Sequence, residues 1–258
     1  GVINGTRGPY GPDFESEGYF VTDGFSDYNS LQLSLKHRTR RLQTLVGYTY
    51  SKSMDNASGY GEQVNFENTH QKALSAFNNT QNFVVSYNYD LPIDLLHGPS
   101  RLVKGWRVSG ITRFSTGLPV TLWESDDNSL TGTNGAGAIS LPIDRPDYTP
   151  GSLNFTNPRT GQPYFNTGLF SPEPLGQLGN SSRRFFSGPG LNNWDIAIMK
   201  DTAIKEGINL EFRAELFNAF NHAQFDQIDG NVDDGHLFGT WQSVNAPRIM
   251  QVSLKLLF

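Results

Sequence analysis

The sequence has 258 residues, 18 Phe, 10 Tyr and 4 Trp among them, with a formal net charge of −5 and no cysteine. This is ample apolar material for one large β-domain or two small ones, the acidic balance argues against a nucleic-acid partner, and the lack of Cys excludes disulfides and thiolate chemistry. No run of about 18 apolar residues occurs, which excludes a transmembrane helix but not a membrane barrel, whose strands need apolar residues only at alternate positions.

The chain begins at Gly1 with neither an initiator Met nor a signal peptide, so a processed or truncated chain is expected. Residues 1–25 are rich in Gly, Pro and acidic side chains and read as an extended arm or loop. From Tyr28 to His37, Leu31, Leu33 and Leu35 face one way and Gln32, Ser34 and Lys36 the other. A period of two marks a β-strand. A tight basic turn near Thr39-Arg40 returns the chain from Leu42 to Lys52, with Val46, Tyr48 and Tyr50 opposite Leu45, Gly47 and Thr49, as in a hairpin.

Residues 54–80 are polar and read as a long loop. Phe83, Val85, Tyr87, Tyr89 and Leu91 then interleave with Val84, Ser86, Asn88 and Asp90 until Pro92, which a central strand does not tolerate. After a connection through residues 95–104, Trp106, Val108, Gly110, Thr112 and Phe114 alternate with Arg107, Ser109, Ile111 and Arg113, Ile111 being the one mismatch. Residues 123–189 form a very long Gly-, Pro-, Asn- and Ser-rich segment, the kind of length that accompanies functional surface loops. Trp194, Ile196 and Ile198 alternate with Asp195, Ala197 and Met199; a turn at 203–206 leads to Leu210, Phe212, Ala214 and Leu216 against Asn209, Glu211, Arg213 and Glu215. A third polar loop, 219–245, precedes the last strand, where Val252, Leu254, Leu256 and Phe258 alternate with Gln251, Ser253 and Lys255.

Short and long connections alternate along the chain, as in outer-membrane barrels with short periplasmic turns and long external loops. The expected fold is all-β: an antiparallel transmembrane-type β-barrel spanning residues 26–258, with about seven to eight strands present as part or whole of a barrel. The carboxyl terminus then sits at the periplasmic rim and the amino-terminal arm outside. About seven strands are counted, whereas bacterial single-chain barrels have an even number.

Several stretches resemble the carboxyl-terminal barrel portion of TonB-dependent outer-membrane receptors, especially the Oar-like group common in Acidobacteria. They are Tyr28-Asn29-Ser30-Leu31-Gln32-Leu33, residues 48–57, Gly105-Trp106-Arg107-Val108-Ser109-Gly110-Ile111, residues 188–195, residues 213–222 including Phe217-Asn218-Ala219-Phe220-Asn221-His222, and Pro247-Arg248-Ile249 leading to Phe258. The resemblance implies a non-catalytic segment serving solute uptake or surface attachment, with outer-membrane lipid, an amino-terminal plug and further barrel strands as partners. The alternative is a structural protein that self-assembles into an extracellular polymer or filament through residues 1–25.

No catalytic motif, cofactor-binding motif or metal-ligand spacing is found. His37, His70, His97, His222 and His236 lack zinc-site spacing, and neither a phosphate-binding Gly loop nor a Gly-x-Ser-x-Gly elbow occurs. The acidic stretch from Asp226 to Gly235 offers oxygen ligands of the kind calcium takes, without the EF-hand order; a solvated, turn-forming loop is the preferred reading, and Asp126-Asp127-Asn128 is a lesser case. Asn209, Glu211, Arg213 and Glu215, with Arg107, Arg113 and Lys255, would line an inner wall, either as cross-strand pairs or as a solute path or plug-docking surface. Tyr48, Tyr50, Tyr87, Tyr89, Trp106, Phe114 and Trp194 fit an interfacial aromatic girdle. Phe185-Phe186 and Tyr164-Phe165, in loops, are candidates for carbohydrate or partner binding.

Overall fold

The computed structural model describes residues 22, 24–58, 72–126, 128–129 and 144–258. Strands come first where the sequence alternates: β1 (Ser26–Arg38), β2 (Leu42–Asp55), β3 (Ala73–Leu74), β4 (Gln81–Asp90) and β5 (Trp106–Ser115). The long loop after β5 carries two short strands, β6 (Asp147–Tyr148) and β7 (Phe170–Ser171). Then follow β8 (Leu191–Lys205), β9 (Ile208–Phe217), β10 (Phe225–Ile228), β11 (Trp241–Val244) and β12 (Ile249–Leu257). The connection between β4 and β5 holds a 3-10 turn, Pro92–Leu95, and a single helical turn, α1 (Ser100–Val103).

One antiparallel sheet runs β1-β2-β4-β5-β8-β9-β12, with β3 paired beside the end of β2. Each long strand pairs with its neighbour in sequence among the long strands, a meander that keeps contacts local. The connections at 39–41, 91–105 and 206–207 lie at one end of the sheet, together with Phe258; those at 56–80, 116–190 and 218–248 lie at the other. The arm is outside the described residues apart from residues 22, 24 and 25, where Phe25 N–H donates to Asn56 Oδ1 at 2.9 Å.

The register puts every alternating apolar row on the same face. One row across the sheet reads Leu35, Val46, Val85, Thr112 and Trp194; another reads Ile198, Ala214 and Val252. Gly110 stands opposite Tyr87 because a Cβ there would lie 2.6 Å from the Tyr87 hydroxyl. On the other face, Ile111 stands between Ser86 and Asp195, an apolar residue among polar ones.

Among the described residues no second layer covers the apolar face. The buried hydrophobic cluster instead lies off the sheet: Val120, Leu122, Tyr164, Phe165, Phe170, Phe186 and Phe238, all from the two longest loops. Leu33 of β1 and Leu254 of β12 are 56% and 67% exposed. A wide apolar face with nothing packed on it is what lipid contact requires.

Both edges, β1 and β12, are exposed along their whole length. Seven antiparallel strands make the first and last run the same way, so β12 points in the direction of β1.

Candidate functional site: the two walls of the sheet and the loop unit

The apolar face carries aromatic rings at both ends. Near the long loops, Phe83, Phe114, Trp194 and Phe220 form a chain of ring contacts, with centroids 6.4, 5.7 and 5.4 Å apart. Toward the short turns lie Tyr87, Tyr89 and Trp106, whose indole N–H donates to the Leu102 carbonyl at 2.8 Å. Phe114 and Trp106 stand at opposite ends of β5, about 27 Å apart along the strand at ~3.4 Å per residue. At a strand tilt of ~35–45° that length spans roughly 19–22 Å of depth, a little less than the ~25 Å apolar band of outer-membrane barrels. Both aromatic belts then meet the lipid headgroups.

Lys200, in register with Trp106 and Phe212, is a cation on this apolar face. Its stem is buried, and its ammonium donates to the Arg101, Lys104 and Asp201 carbonyls and to Thr202 Oγ1 at 2.6–3.1 Å. Placed at the short-turn rim, it keeps its charge out of the apolar band.

The polar face brings together part of the row expected from sequence. Arg107 Nε donates to Asp90 Oδ1 at 2.9 Å and Arg113 Nε to Asn82 Oδ1 at 2.9 Å. Glu215 is paired with Arg213 and accepts from Gln251, while Asp201, Glu211 and Lys255 share one register row. Opposite charges on adjacent strands stabilise one another and keep this wall wettable. Two shallow concavities lie on it: one of about 340 Å³ involving Ser86, Ile111, Asp195, Arg213 and Glu215, the other of about 320 Å³ nearer the loops, involving Tyr28, Gln32, Phe77, Asn82 and Arg113.

At the loop end, three of the sequence stretches singled out above converge. Asn218 and Asn221 adopt left-handed φ of 49° and 54°, a conformation that Asn tolerates better than other non-glycine residues. Asn218 N–H donates to Asp195 Oδ1 at 2.9 Å, its Oδ1 accepts from His222 N–H at 2.9 Å, and its Nδ2 donates to the His222 carbonyl at 2.9 Å. Asn221 Oδ1 accepts from Arg248 N–H at 3.0 Å. The Phe217–His222 stretch is thus a turn that fastens the ends of β8, β9 and β12.

Above the sheet, the loops fold into one unit. Trp123 hydrogen-bonds both Gly230 and Val232 at 3.0 Å, and Asp233 Oδ2 accepts from Ser125 N–H at 2.8 Å and Ser125 Oγ at 2.9 Å. Those contacts tie the loop after β5 to the loop after β9. The loop after β2 joins through a buried ion pair between Arg183 and Asp55, 7% and 2% exposed in their side chains, and through Arg184 Nη1 donating to Ser58 Oγ at 3.2 Å. Glu124 and Glu173 lie buried together within it, with Glu173 N–H donating to Glu124 Oε1 at 3.2 Å.

The family of outer membrane beta barrel domains matches residues 3–251. The chain belongs to that family. Its membership implies an outer-membrane location, which the uncovered apolar face and its aromatic belts explain physically. No curated protein and no solved structure matches the chain.

For this barrel domain, several site expectations take a different form in three dimensions. Tyr164, Phe165 and Phe186 are not free to bind a ligand: they are 9%, 2% and 7% exposed, inside the loop core, whereas Phe185 meets Phe186 edge to face at 5.2 Å and stays partly exposed. Within the Asp226–Gly235 stretch, Asp229 Oδ1 accepts from Asn231 N–H at 3.0 Å and Asp234 Oδ1 from Asn231 Nδ2 at 2.9 Å, so these carboxylates shape a turn. Burial and the charge of Asp229 raise the Asp234 pKa above the usual range. Among the described residues no group of three or more His, Asp or Glu side chains is arranged to hold a metal ion. His70 and Asp127 lie outside the described residues; His37, His97, His222 and His236 are scattered over β1, the short-turn end and the loops. Sequence reasoning missed the Asp55–Arg183 pair, whose only outward sign was an Arg-Arg dipeptide in a long polar segment.

Proposed function

We propose that this barrel domain is the carboxyl-terminal portion of a TonB-dependent-receptor-like, Oar-type outer-membrane protein, non-catalytic, serving solute uptake or surface attachment once further strands and a plug complete it. The observation that carries the reading is the parity of the sheet. Among the described residues, seven long strands leave two edges that run the same way, and a ring of purely antiparallel pairs closes only when an odd number of strands is added between them. The same reading accounts for the charged inner wall, which a plug or a passing solute would face, and for the wide unpacked lipid face. It also fits the resemblance of residues 28–33, 48–57, 105–111, 188–195 and 213–222 to such receptors.

A second reading draws on the same exposed edges. Long unpaired strands recruit strands of other chains, so a processed chain that polymerises at the cell surface or in the extracellular space would use β1 and β12 as its joints. Residues 1–21 and 23, the arm expected to reach a neighbour, lie outside the described residues. Intact mass measured together with membrane fractionation of native material separates the two. A chain about three times as long, recovered with the outer membrane, supports the receptor reading; a mass near 28.7 kDa in large assemblies outside the membrane supports the polymer.

A further inference from the structure

Glu124 and Glu173 are 0% and 3% exposed, and their environments differ in a way that assigns each a role. Glu124 follows Trp123 on the segment that runs through the middle of the loop unit, its N–H donating to the Asp144 carbonyl at 3.1 Å. Its side-chain oxygens each face a donor: Oε1 accepts from Glu173 N–H at 3.2 Å and Oε2 from Asn128 Nδ2 at 3.1 Å. Donors on both oxygens stabilise a carboxylate. Glu173, two residues beyond β7, has no such help. No donor of another described residue is aimed at either of its side-chain oxygens, and its own N–H bond to Glu124 Oε1 brings the Glu124 carboxylate beside it. Two carboxylates in contact away from water repel strongly, and one proton converts the repulsion into a hydrogen bond.

We propose that Glu173 carries a proton which it donates to the Glu124 carboxylate, and that this hydrogen bond is the clasp holding the two limbs of the long loop, 120–126 and 170–176, in the closed unit. The charged neighbours work the same way. Asp144, fixed by Ser129 Oγ at 2.6 Å, acts on Glu173, and Asp233, fixed by Ser125, acts on Glu124; both oppose a second negative charge. Burial foremost, then the contact with Glu124, pushes Glu173 up to about 9, and burial raises Glu124 as well. The closed unit therefore binds one more proton than the open one between the ordinary glutamate range and pH about 9. The clasp is complete at acid pH and weakens steadily as pH rises through that window. Because Trp123 and Ser125 also carry the tie to the loop after β9, release at Glu124 loosens both loops at once while the sheet stays paired.

The test is hydrogen–deuterium exchange on the full, detergent-extracted chain, each peptide referred to its intrinsic rate at the same pH. Protection over 120–126 and 170–176 is expected to fall about tenfold or more from roughly pH 6 to pH 10, while β8 and β9 keep theirs. Glu173→Gln, whose amide donates where the acid proton stood, should flatten that profile. An infrared band of a protonated carboxyl at neutral pH, titrating away near pH 9 in the unaltered chain, gives a second readout that needs no variant to fold. The same pH profile in Glu173→Gln as in the parent, or no protonated carboxyl at neutral pH, overturns the proposal. So does protection by millimolar calcium that Glu173→Gln abolishes, since the pair would then hold a cation in place of the proton.

Discussion

Exchanging Val85 for Arg should block membrane insertion, whereas Ser86→Arg one residue away should be accepted. Val85 lies mid-way along β4, between Val46 of β2 and Thr112 of β5 on the apolar face. It is about 14–17 Å of strand from either end of β4 at ~3.4 Å per residue, too deep for an arginine to reach a headgroup without cost. Arg at the bilayer midplane of a barrel costs about 2–4 kcal/mol, roughly a 30- to 1,000-fold shift in the folding equilibrium at ~1.4 kcal/mol per factor of ten. Ser86 points to the polar wall, across from Ile111 and one strand from Asp195, where a guanidinium meets water and a carboxylate. Tyr87→Arg, back on the apolar face but nearer the rim, should fall between the two. Denaturant titration of the chain folded into lipid vesicles measures the difference, and protease protection gives a qualitative check. Equal midpoints for Val85→Arg and Ser86→Arg would refute the assignment of the two faces.

Phe165→Ala removes the most buried ring of the loop core, 2% exposed, and should destabilise the loop unit by about 3–5 kcal/mol; limited proteolysis should then cut residues 144–190 while strands β8 and β9 stay protected. Asp55→Asn removes the buried carboxylate that Asp55 offers Arg183 and should cost about 3 kcal/mol, seen as faster tryptic cleavage at Arg183-Arg184. Asn218→Ala withdraws the side-chain bonds to both main-chain groups of His222 and puts a β-carbon residue at φ 49°. It should lower stability by about 1–3 kcal/mol and speed exchange at the start of β12, and unchanged exchange there would contradict the fastening role of the turn.

The strands were legible because the sheet is one layer thick. With no helix or second sheet among the described residues competing for its faces, each long strand has only water-like and lipid-like surroundings, and the sequence records them as a strict period of two. Thus Phe83 to Tyr89, Trp106 to Phe114 and Leu210 to Leu216 could be assigned to faces residue by residue, and the aromatic belt followed from where Trp106 and Trp194 fall in their strands. Lys200 shows the limit. Its position on the apolar row is visible in the alternation, but the carbonyl oxygens that receive its ammonium come from Arg101 and Lys104, about 100 residues away.

Loops carry no such period, so their organisation was hidden. Phe165 and Phe186 read as exposed aromatics because nothing near them in sequence indicates what covers them; they are buried because Phe170, Phe186 and Phe238, which are 5, 21 and 73 positions from Phe165, fold onto its ring. The same holds for Asp55 with Arg183, 128 positions apart, and for Glu124 with Glu173, 49 apart. The sequence by itself determined the long strands, the two faces and the alternation of short and long connections, since those depend on the local contrast between apolar and polar side chains, whereas the short strands β3, β6, β7, β10 and β11 lie in segments it read as loops. Only the tertiary structure decided the buried ion pair, the carboxyl pair and the parallel-running edges, because burial and strand order are properties of how distant segments meet.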